Sequence, residues 1–96
     1  MDINYESAPN NFGDSWQRYV EHGIPPGSFG EALLCNRLRE AFGCADHINI
    51  NLIPQHVQWL WDNLPFEAWG SDEAFQAWSD AGGLNGKRKH ETDNTD

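Results

Sequence analysis

The sequence predicts an all-α fold, a small single-domain bundle of about four short helices with a disordered C-terminal tail. Three observations support this class. Apolar residues recur three and four positions apart in successive segments, which is the spacing of one helix face. Residues that cap helices precede these segments, and Gly or Pro follows them. No segment shows the alternation of apolar and polar residues that is typical of a half-buried strand.

Length and composition divide the chain into three parts. Its 96 residues suffice for one domain with a modest core. We predict an N-terminal extended segment at 1–14, a helical domain at 15–84 and a flexible polar tail at 85–96. The tail contains no apolar residue, so it cannot offset the entropy that is lost on ordering.

The first helix is predicted at about 15–22. Trp16, Tyr19 and Val20 lie three and four residues apart and form one apolar stripe. Gly23 can adopt the left-handed conformation that ends many helices. We therefore expect a short helix that packs through this stripe.

The second helix follows a forced bend, because Pro25 and Pro26 fix an extended turn. Ser28 is the clearest N-cap in the chain, with Glu31 placed to return the hydrogen bond, and Gly43 closes the helix. We predict that this is the central element, because nearly two of its faces are apolar: Phe29, Ala32, Leu33, Leu34, Cys35, Leu38, Ala41 and Phe42.

The third helical region is predicted at 46–64, with Asp46 as its N-cap. Pro54 costs about 3 kcal/mol in a helix interior, so the helix is either kinked there or broken, with a restart capped by Asn51. We favour the break. Trp59 points away from the predicted core stripe, which consists of Ile53, Val57, Leu60 and Leu64 with Trp61 beside them.

The last helix begins after Ser71, a predicted N-cap. Asp72 and Glu73 occupy its first turn, where the helix dipole favours anions, and Gly82 ends it. Its predicted buried side consists of Ala74, Phe75, Ala77 and Trp78.

Charge limits the classes of partner. The net charge is −9, and all of it belongs to residues 1–86, which contain three Arg and no Lys. A phosphate backbone is repelled by such a surface, whereas a protein with a basic surface is attracted. We therefore expect a protein partner and no direct nucleic-acid contact. No apolar run approaches the ~18 residues of a membrane span and no signal sequence is readable, so we expect no membrane association and a cytoplasmic location.

Cysteine and histidine supply the only candidates for metal or thiol chemistry. They are Cys35, Cys44, His47 and His56, of which only Cys44 and His47 have the close spacing of zinc ligands. A nucleophile also needs a base and an orienting group, and the sequence identifies neither. We predict no cofactor, no metal site and no catalytic residue, with buried cysteines and surface histidines. A small zinc- or thiol-dependent protein is the third-ranked alternative.

Aromatic residues are the better functional lead. Because Trp59 lies off the core stripe, it either packs against the N-terminal segment or forms an exposed anchor. A second candidate patch surrounds Phe66 and Trp69, although we favour packing at the helix junction as the explanation for these residues. A homo-oligomer formed through Trp59 stays open. The candidate protein-binding residues are Trp59, Asp62, Glu67, Trp69, Asp72 and Glu73.

Residues 22–29, which read His-Gly-Ile-Pro-Pro-Gly-Ser-Phe, and residues 69–71, Trp-Gly-Ser, resemble a family of small uncharacterised acidic proteins of tailed phages and prophages. This resemblance implies that the protein is encoded by a phage and acts in the cytoplasm of the host cell. It implies no catalytic residue. It favours a non-enzymatic interaction module that binds and modulates a host protein, in host takeover or anti-defence. The alternative is a DNA mimic that occupies a nucleic-acid-binding groove.

Overall fold

The computed structural model describes residues 3–86, which contain five α-helices of seven residues or more and no strand. The helices are α1 (Gly13–His22), α2 (Ser28–Leu34), α3 (Leu38–Cys44), α4 (Ile53–Asn63) and α5 (Asp72–Ala81). Short 3₁₀ turns lie at Tyr5–Ser7, Pro9–Asn11, Asn49–Asn51 and Phe66–Ala68. The all-α class is confirmed. The predicted tail lies, from residue 87 onward, outside the described residues.

Residues 1–14 were predicted to form an extended segment. Instead, Tyr5–Ser7 and Pro9–Asn11 form the first two 3₁₀ turns. The close approach of this segment to α1 depends on Gly13, because a Cβ there would collide with the backbone carbonyl of Tyr5. The segment therefore belongs to the packed body of the protein.

The predicted second helix is wrong in its length, because the chain forms two helices there. Asn36 adopts a left-handed φ of 62°, a conformation that Asn tolerates better than most residues. The amide of Arg37 then donates to the carbonyl of Ala32 at 2.9 Å, and the amide of Asn36 donates to that of Leu33 at 3.2 Å. These two bonds form a Schellman motif, which ends α2. Moreover, Ser28 makes no capping hydrogen bond, and Gly27 occupies the N-cap.

Burial differs between these two short helices. In α2 five of the seven residues are buried, as a central element requires. In α3 only Ala41 is buried. The predicted core residues Leu38 and Phe42 are exposed, because the break at Asn36 turns α3 away from the direction of α2.

The break predicted near Pro54 is confirmed. A 3₁₀ turn precedes α4, and Pro54 lies in the first turn of α4, where its missing N–H costs no hydrogen bond. The N-cap is Leu52, however, and not Asn51. Asp46 begins the preceding turn as a capping residue, since its Oδ1 accepts from the amides of Ile48 and Asn49 at 3.0 and 2.7 Å.

The core forms around α1, whose Trp16, Tyr19 and Val20 are fully buried, as predicted. The hydroxyl of Tyr19 donates to the carbonyl of Ala68 at 2.6 Å, and its ring stacks on that of Phe75 with 5.4 Å between centroids. These contacts attach the loop before α5, and α5 itself, to α1.

Helix α5 has the ends that the sequence predicts. Ser71 Oγ accepts the amide of Ala74 at 3.0 Å, and Gly82 ends the helix with a φ of 81°. Ser79 of this helix donates to the carbonyl of Gly23 at 2.8 Å. The longest helix of the described residues has 11 residues, and none has the length and apolar character needed to cross a membrane.

Candidate protein-binding surface

The orientation of α4 decides which side chains reach the surface, and it differs from the prediction. The buried face carries Ile53, His56, Trp59 and Leu60. At about 100° per residue, this face is rotated by roughly 75° from the predicted stripe. Trp61, together with Val57, was predicted to be core, yet both side chains point outward.

His56 explains the rotation, because it is fully buried although it was predicted to be a surface residue. Its ring lies edge-on to Phe12 and Phe29, at centroid distances of 4.8 and 5.4 Å. Its Nε2 lies 3.1 Å from Oδ1 of Asn49, an oxygen that also accepts from the side-chain amide of Asn10 at 2.9 Å. Within the described residues, Nδ1 has no hydrogen-bond partner. Burial therefore lowers the pKa of His56.

Trp59 is only 6% exposed, so the prediction of an exposed anchor at this position is wrong. The other alternative, packing against the N-terminal segment, is confirmed. The indole N–H donates to the hydroxyl of Ser7 at 2.8 Å, and the ring lies 6.2 Å from Tyr5 and 6.5 Å from Trp16. A partner protein or a second copy has no access to this side chain.

Trp61, two residues further along the helix, is 61% exposed. Its ring contacts that of Phe66, which is 69% exposed, at a centroid distance of 5.4 Å. Val57 lies one helical turn before Trp61 and is also exposed. The sequence indicated Phe66 as part of a candidate patch but gave no sign that Trp61 is its neighbour.

A shallow depression continues this exposed surface towards α3. It has a volume of about 60 Å³ and its lining includes Leu38 and Ala41 of α3, Ile53 and Val57 of α4, and the half-buried Trp69. Phe42 lies one turn beyond Leu38 on α3 and is exposed. Leu38 and Val57 line the depression, and the other exposed apolar residues lie one turn further along α3 and α4 or, for Phe66, against Trp61. We call these five residues the α3–α4 face: Leu38, Phe42, Val57, Trp61 and Phe66.

Carboxylates accompany this face. The predicted acidic residues Asp62, Glu67, Asp72 and Glu73 are all exposed. Asp62 directly follows Trp61, and Glu67 directly follows Phe66. Glu73 lies next to Asp72 in the first turn of α5. The candidate acids therefore reach the surface, whereas Trp69 lines the depression and Trp59 is buried in the core.

Arg37, which also lines the depression, brings three carboxylates together, one of which is the candidate residue Asp72. Its guanidinium lies 2.9 Å from Asp72, 3.3 Å from Glu40 and 3.6 Å from Glu31. Hydrogen bonds from Cys35 and from Arg37 hold the pKa of Asp72 below its usual range. One positive charge among three negative charges leaves this edge of the α3–α4 face acidic.

The four residues that the sequence offers for thiol or metal chemistry lie in different surroundings. Cys35 is buried, and its burial raises the pKa of the thiol to about 12, so it is not a ready nucleophile. Cys44 is exposed, which differs from the buried position predicted for it. Among residues 3–86, no three side chains of His, Cys, Asp or Glu come together in a way that could hold a metal ion.

No family model, no curated protein and no solved structure matches this chain. The resemblance to small phage proteins stays a prediction. The residues of the α3–α4 face are therefore the basis for a functional proposal.

Proposed function

We propose that this protein is a non-enzymatic interaction module that binds another protein through the α3–α4 face. The main support is the pair of touching aromatic rings of Trp61 and Phe66, which are 61% and 69% exposed. Burying an apolar side chain stabilises a fold by about 1.5–3 kcal/mol, so a small domain gains nothing for its own stability by leaving both outside. Exposed aromatic residues within a contiguous patch are typical of binding hot spots.

The acidic surroundings define the charge of the partner. Residues 1–86 contain twelve acidic residues and only three Arg. Opposite charges steer association and reject wrong partners, while apolar contacts supply most of the affinity. A partner with basic residues around an apolar patch fits both features.

The identity of the partner class follows from the predicted resemblance. If the chain is a phage protein, its partner is a protein of the host cell, whose activity changes when its basic surface is covered. The alternative of a DNA mimic receives less support, because the middle of the face is aromatic and aliphatic. A mimic would place carboxylates there in the positions of phosphates.

The test uses the tagged full chain as bait in lysate of its natural host. Trp61→Ala removes one of the two touching, exposed aromatic rings of the α3–α4 face. Ile24→Ala is the matched control, because Ile24 is also an exposed apolar residue but lies in the loop between α1 and α2. We expect one host protein to be retained in stoichiometric amount by the native chain and by the control, and to be lost with Trp61→Ala.

Two results would count against this proposal. Equal retention by Trp61→Ala would show that the α3–α4 face is not the binding surface. Retention of no protein by the native chain would contradict a binding function in this host. Displacement of the retained protein by duplex DNA at low salt, with no effect of Trp61→Ala, would favour the DNA mimic instead.

A further inference from the structure

The shape of the α3–α4 face suits one kind of protein segment. Leu38 and Phe42 are one helical turn apart on α3, and Val57 and Trp61 are one turn apart on α4. The small, fully buried Ala41 forms part of the floor between them. Two rows of this spacing around a shallow floor match the apolar side chains that an amphipathic helix presents at successive turns.

An extended segment fits this face less well. Residues 3–86 contain no strand, so they offer no sheet edge to which an added strand could pair. The depression is lined mainly by apolar side chains, and an extended backbone laid on it would lose its hydrogen bonds to water. A helix satisfies its backbone groups internally and can cover an apolar surface without that loss.

The size of the depression sets the size of the main anchor. Its volume is about 60 Å³, and one water-sized group needs roughly 10–15 Å³ of such volume. It therefore accepts about four heavy atoms, which corresponds to the side chain of Leu or Ile. Larger aromatic residues would stay outside the depression, and the exposed rings of Trp61 and Phe66 are available elsewhere on the α3–α4 face for ring contacts.

The carboxylates decide between a foreign helix and a second copy of this chain. Arg37 lines the depression, and the three carboxylates around it, Asp72, Glu40 and Glu31, leave an excess of negative charge there. A second copy that covered the face would bring the same carboxylates together, and like charges at an interface are unfavourable. Lysine or arginine on the flanks of a bound helix would pair with them.

We infer that the partner presents an amphipathic α-helix with Leu or Ile anchors and basic flanks, which docks on the α3–α4 face over the depression. This inference rests on the proposed function. The bound segment is a protein helix, and both its apolar stripe and its charge pattern contribute to recognition.

The experiment is an NMR titration of the full, ¹⁵N-labelled chain with three synthetic peptides of about 18 residues. The first has Leu at positions i, i+3 and i+7 with Lys on the flanks. The second replaces the Lys residues with Glu, and the third is a scramble of the first that keeps its charge but lacks the stripe. We expect the first peptide to shift the amides around Leu38, Val57 and Trp61 and the Trp61 indole signal. We expect at least about tenfold weaker binding for the other two, equivalent to 1.4 kcal/mol.

Variants of the protein complete the test. Trp61→Ala should weaken binding of the first peptide, whereas Ile24→Ala should leave it unchanged, and the spectrum itself reports whether each variant is folded. Equal binding of the scrambled peptide would show that charge alone, without the apolar stripe, is sufficient for binding, and would overturn the inference. Equal binding of the Glu peptide would overturn the role of the carboxylates.

Other outcomes distinguish this inference from the proposed function. Shifts of the same amides on raising the protein concentration alone would make a second copy the occupant and overturn the inference. If no peptide binds although capture of a host protein depends on Trp61, the helical partner is wrong and the interaction module stands. If capture is also independent of Trp61, both proposals fail.

Discussion

Trp59 and Trp61 lie two residues apart on α4 and have opposite surroundings. Trp59 is 6% exposed, stacks near Trp16 and donates its indole N–H to Ser7. Trp61 is 61% exposed, and its one ring contact within the described residues is with Phe66, which is itself exposed. The same helix therefore carries one face that stabilises the fold and another that is open to a partner.

This difference shows what hydrophobicity alone does not decide. The two side chains are chemically identical, but the N-terminal segment brings a hydroxyl acceptor and a tyrosine ring to Trp59. Nothing comparable covers Trp61 in the part of the chain that the structure describes. Four predictions test this contrast, in order of decreasing effect on stability.

Replacing Trp59 should have the largest effect. Trp59→Ala removes a buried indole and leaves a cavity, and such changes cost about 3–5 kcal/mol of unfolding free energy. Urea unfolding followed by circular dichroism measures this loss. A loss below about 1 kcal/mol would contradict the packing of the N-terminal segment over Trp59.

Lowering the pH should reduce the unfolding free energy through protonation of His56. Burial lowers the pKa of His56 from 6.5 in the folded state, so below about pH 6.5 the unfolded state binds more protons than the folded state. Stability is then fully present above the unfolded pKa and falls as the pH decreases, with a slope of at most about 1.4 kcal/mol per pH unit. Urea unfolding between about pH 7.5 and 5 measures the slope.

The control for this prediction is a pair of variants. His56→Gln should flatten the slope in that range, whatever its effect on stability at neutral pH. His47→Gln replaces an exposed imidazole and should keep the slope of the native chain. An unchanged slope in His56→Gln would show that His56 is not the group responsible.

Loss of the Ser7 hydroxyl should have a smaller effect. Ser7→Ala removes the acceptor of the Trp59 indole N–H, and because Ser7 is exposed the loss should be that of an ordinary hydrogen bond, about 0.5–1.5 kcal/mol. Ser28→Ala is the matched control, because Ser28 makes no capping hydrogen bond and should change stability by less than about 0.5 kcal/mol. Thermal melts of both variants check the prediction, which is wrong if they lose equal stability.

Trp61→Ala should have the smallest effect on stability. Most of this side chain is already in water, so its removal should change the unfolding free energy by about 0.5 kcal/mol or less. Urea unfolding under the same conditions as for Trp59→Ala gives the comparison. A loss of several kcal/mol would mean that Trp61 is part of the core and that the α3–α4 face is not open.

The sequence predicted features that depend on neighbours along the chain. Ser71 and Gly82 bound α5 as expected, and the stripe of α1 is buried, because caps and helical periodicity act within a few residues. The restart of α4 at Pro54 follows from the missing N–H of proline in the same local way.

The features that the sequence did not predict depend on tertiary contacts. Asn36 ends α2 through two backbone hydrogen bonds, although the apolar pattern continues past it without interruption. His56 is buried because Asn49 and a ring of aromatic side chains surround it, and periodicity counted it as polar. Because of the helix end at Asn36 and the burial of His56, Leu38 and Trp61 are exposed. The sequence pattern had assigned both to the core, so most of the α3–α4 face was not predicted.

The most direct test of the account is the dissociation constant of the Lys-flanked helical peptide for the native chain and for Trp61→Ala. We expect Trp61→Ala to weaken binding by at least about tenfold while the melting temperature stays within about four degrees of the native value. Equal dissociation constants for the two proteins would contradict the claim that the outward face of α4 serves binding.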